Sequence, residues 1–387
     1  MYKIQLMDNF TPESTRALSQ DSYFIEQTER PNGMMVRSSI VADQQITRDL
    51  LAISRVGVGV NTINVEKCTE NGTVVLNTPG TNANAVKELV VASLLIAVRP
   101  IFTAVKQVKE LRGSHILAES EAIREKLIGH ELQGKTVGIL GLGSIGKQVG
   151  RICYELGMDV LGYARSPHDL SFLTQVALTE LLKQSDFIVI LLPLTAETNH
   201  LLNDKAFNLM KSGTCLLNFG RDQIVDNQAL LAAIDQGKIA QYITDFPQAE
   251  FIGHDKIIML PHIGGNTHEA IKDGEQMASR HLRNFLLYGT VRDSVNYPNA
   301  RLLFQAPYRL TLFYQDSKGI WAEIVAILAQ YELEIGDMSS NRKNGNVYTM
   351  IDLDTINQEK IEKALVEMTE LVPVRRVRLL TKPVGIK

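Results

Sequence analysis

The stretch KTVGILGLGSIGKQVGRICYELGMDVLGY, residues 135–163, decides the fold. It opens on an apolar, β-branched run that ends in Gly141-Leu142-Gly143-Ser144-Ile145-Gly146, the spacing GxGxxG. Ile145, Val149, Ile152 and Leu156 then recur at helical spacing, and Gly157 stands where a helix C-terminal cap belongs. A second apolar run, MDVLGY, follows. Strand, glycine turn, helix and strand is the context in which this motif binds a dinucleotide. Each glycine has its own reason. Gly141 permits the tight turn, Gly143 lets the backbone approach a pyrophosphate, and Gly146 lets helix and strand pack closely. The helix start at Ser144 and Ile145 offers free N–H groups and the positive end of the helix dipole.

An acidic residue is expected where the second strand ends, to hold the ribose hydroxyls. Here the strand ends Gly162-Tyr163-Ala164-Arg165-Ser166-Pro167, and Asp169 lies beyond the proline. Ala164 removes the group that repels a 2′-phosphate, and Arg165 can pair with one. The expected cofactor is NAD, with NADP left open.

Outward from this stretch the pattern continues. FIVILL (187–192) and TCLLNF (214–219) read as buried strands separated by helix-like segments. Before it, MVRSSI and TVVLNTP are strand-to-turn patterns, and NANAVKELVVASLLIAV is a helix starting at Asn82 or Asn84. Alternating strands and helices predict parallel doubly wound sheets. Residues 99–132 are more polar and read as a bridge between domains. After about residue 300 the composition shifts. RLTLFYQ, GIWAEIVAILAQY, LEIGDMSS, NVYTMIDLD, QEKIEKALVEMTEL and VRRVRLL read strand, helix, strand, strand, helix, strand, the order of a ferredoxin-like βαββαβ module. Asn344-Gly345 is its hairpin signal, since a type I′ turn needs positive φ twice.

Composition narrows the function classes. The chain has 387 residues, 45% of them hydrophobic, with 40 Lys+Arg against 43 Asp+Glu and a net charge of −3. That balance argues against a basic nucleic-acid surface and against an acidic disordered tail. The longest apolar stretch, Leu89 to Val98, is too short for the ~20 residues of a membrane span. No signal peptide is visible at MYKIQLMDNF, so a cytoplasmic location is expected. Cys68, Cys153 and Cys215 lie far apart with no CxxC, so no metal site is expected.

Three downstream segments carry a resemblance: LLNFGRDQIVDNQALLAAIDQGKIA (216–240), ITDFPQAE (243–250) and MLPHIGGNTHEA (259–270). With VRSS (36–39), RVGVGVNTINVEKCTENGTVVLNTPGTNANAVKE (55–88) and the glycine motif, they resemble the D-isomer-specific 2-hydroxyacid dehydrogenases along nearly the whole chain. The C-terminal module resembles an ACT domain. The resemblance implies an α/β chain of three parts. A flavodoxin-like discontinuous substrate domain would take residues 1–97 and 275–300. A Rossmann-like cofactor domain would take 98–274, and an ACT-like α+β domain 301–387. It also implies oxidation of 3-phospho-D-glycerate to 3-phosphohydroxypyruvate with NAD(P), the first step of serine synthesis. Glyoxylate or hydroxypyruvate reduction stays open, as does a dinucleotide sensor without turnover.

The family's catalytic positions fall on Arg221, Glu250 and His262. The chemistry fits. Oxidising a secondary alcohol needs a base, and an imidazole with its ordinary pKa of ~6.5 takes and returns a proton near neutrality. A buried Glu250 would stabilise the imidazolium and orient the ring. Arg221 offers a planar fork to the substrate carboxylate. Around Glu250 the segment departs from the family pattern: Phe246 and Pro247 stand for Val and Phe, and Phe251 for Pro. Asp245 is a candidate for the nicotinamide amide, with Gly264 and Gly265 beside the cofactor. Leu191 stands where many relatives carry His.

For the substrate, Arg37 and Ser38 would face the phosphate, with Lys126 a weaker candidate. Backbone at Val58 and Gly59, in the Val56–Val60 loop, would hold a carboxylate oxygen, and Asn82 would line the site. Asn61 and Thr62 replace Asp and Asn there. Aligned on Gly319, Tyr314, Asp316 and Glu334 stand where serine-binding relatives carry His, Asn and Asn, which predicts weak or absent serine inhibition. The expected partners are a small phosphorylated 2-hydroxy acid and further copies of the chain in a homo-oligomer, with no nucleic acid and no membrane.

Overall fold

The computed structural model describes residues 1–18, 23–25, 28–112 and 115–383. It divides into two compact units, residues 1–81 with 271–387, and residues 82–270.

In the first unit, β1 (Tyr2–Leu6), β2 (Tyr23–Ile25), β3 (Gly33–Val36), β4 (Ala52–Arg55) and β5 (Val74–Leu76) form a parallel sheet in the order β2-β1-β3-β4-β5. This is the flavodoxin-like order, whose ligand crevice lies at the C-terminal strand ends. β3 and β5 are buried at every position, as strands covered on both faces must be. Helix α1 (Val65–Glu70) is capped by Asn64, whose side chain accepts from the Lys67 amide.

The second unit begins with α2 (Ala83–Val98), α3 (Ile101–Glu110) and α4 (Ile116–Lys126). Asn82 is the α2 cap position, as expected, although its side chain makes no capping bond. Residues 99–132 therefore hold two helices, not only a polar bridge. Seven parallel strands follow: β6 (Thr136–Leu140), β7 (Asp159–Tyr163), β8 (Thr174–Gln175), β9 (Phe187–Ile190), β10 (Thr214–Asn218), β11 (Ile239–Thr244) and β12 (Ile257–Met259). Between them run α5 (Ser144–Glu155), α6 (Leu178–Gln184), α7 (Asp204–Leu209) and α8 (Asn227–Asp235). The order is β12-β11-β10-β9-β6-β7-β8, the doubly wound Rossmann arrangement. The chain winds one way from β6 to β8 and the other from β9 onward. The switch point is thus the C-terminal end of β6 beside β9, where the glycine motif sits.

Helix α9 (His268–Tyr288) leads back into the first unit. The C-terminal module is β13 (Tyr308–Gln315), α10 (Ile320–Gln330), β14 (Ile335–Lys343), β15 (Asn346–Leu353), α11 (Gln358–Glu370) and β16 (Val374–Thr381). Its antiparallel order, β14-β15-β13-β16, is ferredoxin-like and ACT-like, as the sequence predicts. Asn344 and Gly345 take φ of 48° and 75°, the type I′ pair.

Strand β13 is buried on both faces. Leu310, Leu312 and Tyr314 pack with α10 and α11. Phe313 faces the other way and joins Phe285, Tyr297 and Tyr348 in the core of the five-stranded sheet. Phe313 stacks on Tyr348 with ring centroids 4.2 Å apart and meets Tyr297 edge-on at 4.6 Å. The module is thus welded to the first unit by an aromatic cluster. No single helix among the described residues is long and apolar enough to cross a membrane.

Candidate active site

The glycine motif turns where β6 ends. Gly141 has φ +106°, and a side chain there would strike the backbone of Leu191 and Leu192 beyond β9. A Cβ at Gly146 would overlap the Gly141 carbonyl oxygen. Gly143 differs from both. Its φ is an ordinary −73°, and a Cβ there would meet nothing within 4 Å. It is the cap of α5 and makes no side-chain capping bond, so the helix N-terminus, with Ser144 and Ile145, faces open space. A glycine that fold sterics do not require, in front of uncapped amides, fits a pyrophosphate.

At the end of β7, Ala164 is half-buried and Arg165 exposed, with no carboxylate on the strand end. One side chain fixes this corner. Gln175 Nε2 donates to the Ala164 and Ser166 carbonyls, 3.0 Å each, and Gln175 Oε1 accepts from the His168 amide at 2.8 Å.

At the far side of the sheet, β11 delivers Asp245, which is only 3% exposed. Its Oδ1 accepts from the Ile263 amide at 2.8 Å and its Oδ2 from the Gly264 amide at 2.7 Å. Burial pushes this carboxyl above its usual range, against the pull of those amides and of His262. A Cβ at Gly264 would sit 2.8 Å from Asp245 Oδ2, and one at Gly265 2.9 Å from Asn82 Nδ2. These glycines let the loop close down on its anchors. The loop presents His262 at φ +57°, left-handed backbone that a non-glycine residue keeps only when its surroundings enforce it. His262 is exposed, and its ring meets Phe246 edge-on, centroids 5.3 Å apart at 73°.

Strand β10 ends in Asn218, fully buried, which knits the next turn. Its Oδ1 accepts from the Gly220 amide, and its Nδ2 donates to the Arg221 carbonyl (2.9 Å) and to Tyr242 Oη (3.2 Å). Arg221 is half-buried, with Nη1 on the Gly220 carbonyl at 2.6 Å. Glu250 sits on the single 3-10 turn Ala249–Phe251. The expectation that Glu250 is buried does not hold. Glu250 is exposed, its Oε1 accepts from Asn227 Nδ2 at 2.8 Å, and among the described residues no ion pair joins it to His262. Phe251 takes the interior position instead, edge-on to Tyr242 at 5.8 Å, which turns the preceding glutamate outward. Gln248 ties the same loop to Asp222.

The remaining candidates lie in the first unit, apart from Lys126, exposed at the end of α4, and Leu191, half-buried after β9. Arg37 and Ser38 follow β3. The Asp8 carboxylate accepts from the amides of Arg37 (2.6 Å), Ser38 (3.2 Å) and Ser39 (3.2 Å) and from the Ser39 hydroxyl. Gly57, at φ +101°, exchanges bonds with Thr78, while Val58 is exposed and its carbonyl accepts from Asn77. Gly59 lies half-buried beside it. Asp8, Gln175, Asn218 and Phe246 were not legible as site residues. Their partners are backbone groups or rings, which the residue type alone does not reveal.

Residues 91–264 match the family model of the NAD binding domain of D-isomer specific 2-hydroxyacid dehydrogenases. The chain is 32% identical over 293 residues to the D-3-phosphoglycerate dehydrogenase of Methanocaldococcus jannaschii, covering 71% of this chain and 53% of that one, so it spans about half of that relative's length. It is 34% identical over 251 residues to the hydroxypyruvate reductase of Thermotoga maritima, covering 61% of this chain and 79% of that one. The NAD+-bound 3-phosphoglycerate dehydrogenase of Entamoeba histolytica shares the fold, with a TM-score of 0.62 at 24% identity, over 76% of this chain and 98% of that one. The glycine turn, the open α5 terminus and these matches lead to one conclusion: the chain belongs to the D-isomer-specific 2-hydroxyacid dehydrogenase family and uses NAD as its cofactor.

Proposed function

We propose that this chain is an NAD-linked dehydrogenase that interconverts 3-phospho-D-glycerate and 3-phosphohydroxypyruvate. The observation that carries the reading is the His262 loop, an imidazole at φ +57° gripped from beneath by a buried carboxylate. NAD, when bound, supplies the hydride acceptor. His262 takes the hydroxyl proton on an imidazole nitrogen and returns it in reduction. Arg221, its carbonyl pinned by Asn218, directs its remaining guanidinium N–H groups to the substrate carboxylate and polarises the forming carbonyl. Glu250 keeps Oε2 free of protein partners among the described residues, available to the imidazolium. Asp245 anchors the loop, and the cofactor amide competes for the lone pairs it has left. In the first unit Arg37 meets the phosphate with Ser38 beside it, and Val58 and Gly59 offer backbone to a carboxylate oxygen; in the second, Asn82 packs against Gly265. Arg37 and the ACT-like module support the phosphorylated substrate.

Hydroxypyruvate or glyoxylate reduction is the second reading. The larger share of the hydroxypyruvate reductase that the chain spans, 79% against 53% of the phosphoglycerate dehydrogenase, and the uncharged Ala164 corner favour it. Assays of 3-phosphoglycerate, glycerate and lactate with NAD+ and NADP+ separate the two. Turnover of the phosphorylated acid is expected. Its absence with both cofactors, beside reduction of hydroxypyruvate, overturns the first reading in favour of the second.

The chain acts as a homo-oligomer in this account. On α3, Ile101, Phe102, Val105 and Val108 are each about half exposed, an apolar face that a second copy would cover. Serine is expected to inhibit weakly or not at all. Asp316 and Glu334 carry carboxylates, which cannot donate to a serine carboxylate, and Asp316 is paired with Arg342 at 3.1 Å. Inhibition by micromolar serine would contradict this.

A further inference from the structure

Beside Arg37 the first unit holds a second carboxylate for which the reaction has no obvious use. Glu275 is 2% exposed. Its neighbour Gly274 brings α9 down on the loop after β4, where a Cβ would stand 2.8 Å from Val56 Cγ1. Glu275 Oε1 accepts from Arg37 Nη1 at 3.0 Å, and Oε2 accepts from Ser14 Oγ at 2.5 Å. Ser14 is itself fixed by Thr11 Oγ1 at 2.7 Å. Burying a carboxylate costs several kcal/mol unless it is paired. Here the pairing is spent on an arginine whose side chain stays 35% exposed.

Two facts give that arginine a direction. The amides of Arg37, Ser38 and Ser39, which could cradle an anion, are all taken by Asp8. An anion arriving at this strand end therefore meets a guanidinium, not a backbone nest. Only Nη1 is bound by Glu275, and Nε and Nη2 have no protein partner among the described residues. A free arginine loses rotamer entropy when it binds, and tethering one corner of its fork reduces that loss in advance.

We propose that Glu275, seconded by Ser14, is a positioning residue that presets Arg37 for the anionic tail of the substrate. The proposal rests on the reading above that Arg37 meets the substrate phosphate. A pair that merely staples α9 to the sheet would affect all substrates alike. A presetting pair affects only those with a charged tail.

The test uses the full chain and compares phosphohydroxypyruvate with an unphosphorylated 2-oxo acid that the wild type reduces. Glu275→Ala should raise KM for phosphohydroxypyruvate about tenfold, leave kcat within about twofold, and leave KM for the uncharged-tail acid unmoved. Glu275→Gln, which keeps an acceptor for Arg37, should recover part of the loss. Should Glu275→Ala fail to fold, Ser14→Ala carries the same comparison, with a rise of about threefold expected. A folded Glu275→Ala, binding NADH normally, with an unchanged KM for phosphohydroxypyruvate or an equal rise for both acids, overturns the proposal alone. A wild type without turnover of phosphohydroxypyruvate overturns the substrate reading together with it.

Discussion

Asp8 and Asp245 do similar work in different sheets, and their ionisation differs because their surroundings do. Each carboxylate grips backbone amides of a loop carrying a site residue. Asp8 is partly open to water. Burial pushes its carboxyl up, but the amides of Arg37, Ser38 and Ser39 and the Ser39 hydroxyl outweigh it and hold it below its usual range. Asp245 is deeply buried, and burial wins, so it stands raised. A lowered carboxylate contributes stability that is full above its unfolded value and lost as pH falls through the folded one. Asp8→Asn should therefore cost about 1–2 kcal/mol near neutrality, with the gap to wild type closing as the pH falls below about 4. Urea unfolding across that range checks this, and a gap independent of pH contradicts it. At this scale the sequence displays the Pro-His-Ile-Gly-Gly loop but not what holds it. Asp245 lies 18 and 19 positions from its amide partners, and Glu275 lies 238 and 261 from Arg37 and Ser14. Glu250 is exposed, not buried, because a hydrophobic neighbour, Phe251, outcompetes a carboxylate for the interior.

At the scale of elements, the strand–turn–helix of residues 135–163 was fully legible, since period, cap and glycines all agree. Its glycines separate structure from binding. Gly143→Ala meets open space at φ −73° and should leave the melting temperature unchanged while weakening NADH at least about tenfold. Gly146→Ala overlaps a carbonyl and should lower stability itself, by about 1–3 kcal/mol. NADH fluorescence titration with thermal unfolding reads both. Equal NADH affinity in wild type and Gly143→Ala contradicts the assignment. Helix α3 was missed because Lys106, Gln107, Lys109 and Glu110 dilute its pattern. The spacing of Ile101, Val105 and Val108 was the signal, and its face is exposed in one chain.

For the whole molecule, the C-terminal module is part of the first unit, not a tethered appendage. Arg309 is fully buried. It pairs bidentately with Asp352, Nε to Oδ1 at 2.5 Å and Nη2 to Oδ2 at 2.9 Å, and donates Nη1 to the carbonyls of Tyr288 and Leu302. Arg376 reaches the Leu50 and Asn71 carbonyls, and Arg378 that of Leu286. Removing one partner of a buried pair typically costs about 3–5 kcal/mol. Arg309→Met should therefore destabilise the module and the five-stranded sheet together, in one calorimetric transition. Separate unfolding of the module would contradict the shared core. The shift in composition near residue 300 marked the module's start. That β13 is covered on both faces could not be read from it, because an apolar run looks the same whichever neighbour covers it.

In the proposed dehydrogenase reaction His262 moves the proton. The direct measurement is reduction of a 2-oxo acid by NADH in wild type and His262→Ala, beside NADH affinity from cofactor fluorescence. Turnover in the wild type, a fall in kcat of about a thousandfold in the variant and unchanged NADH binding are expected. A variant that keeps wild-type turnover while binding NADH normally would contradict it.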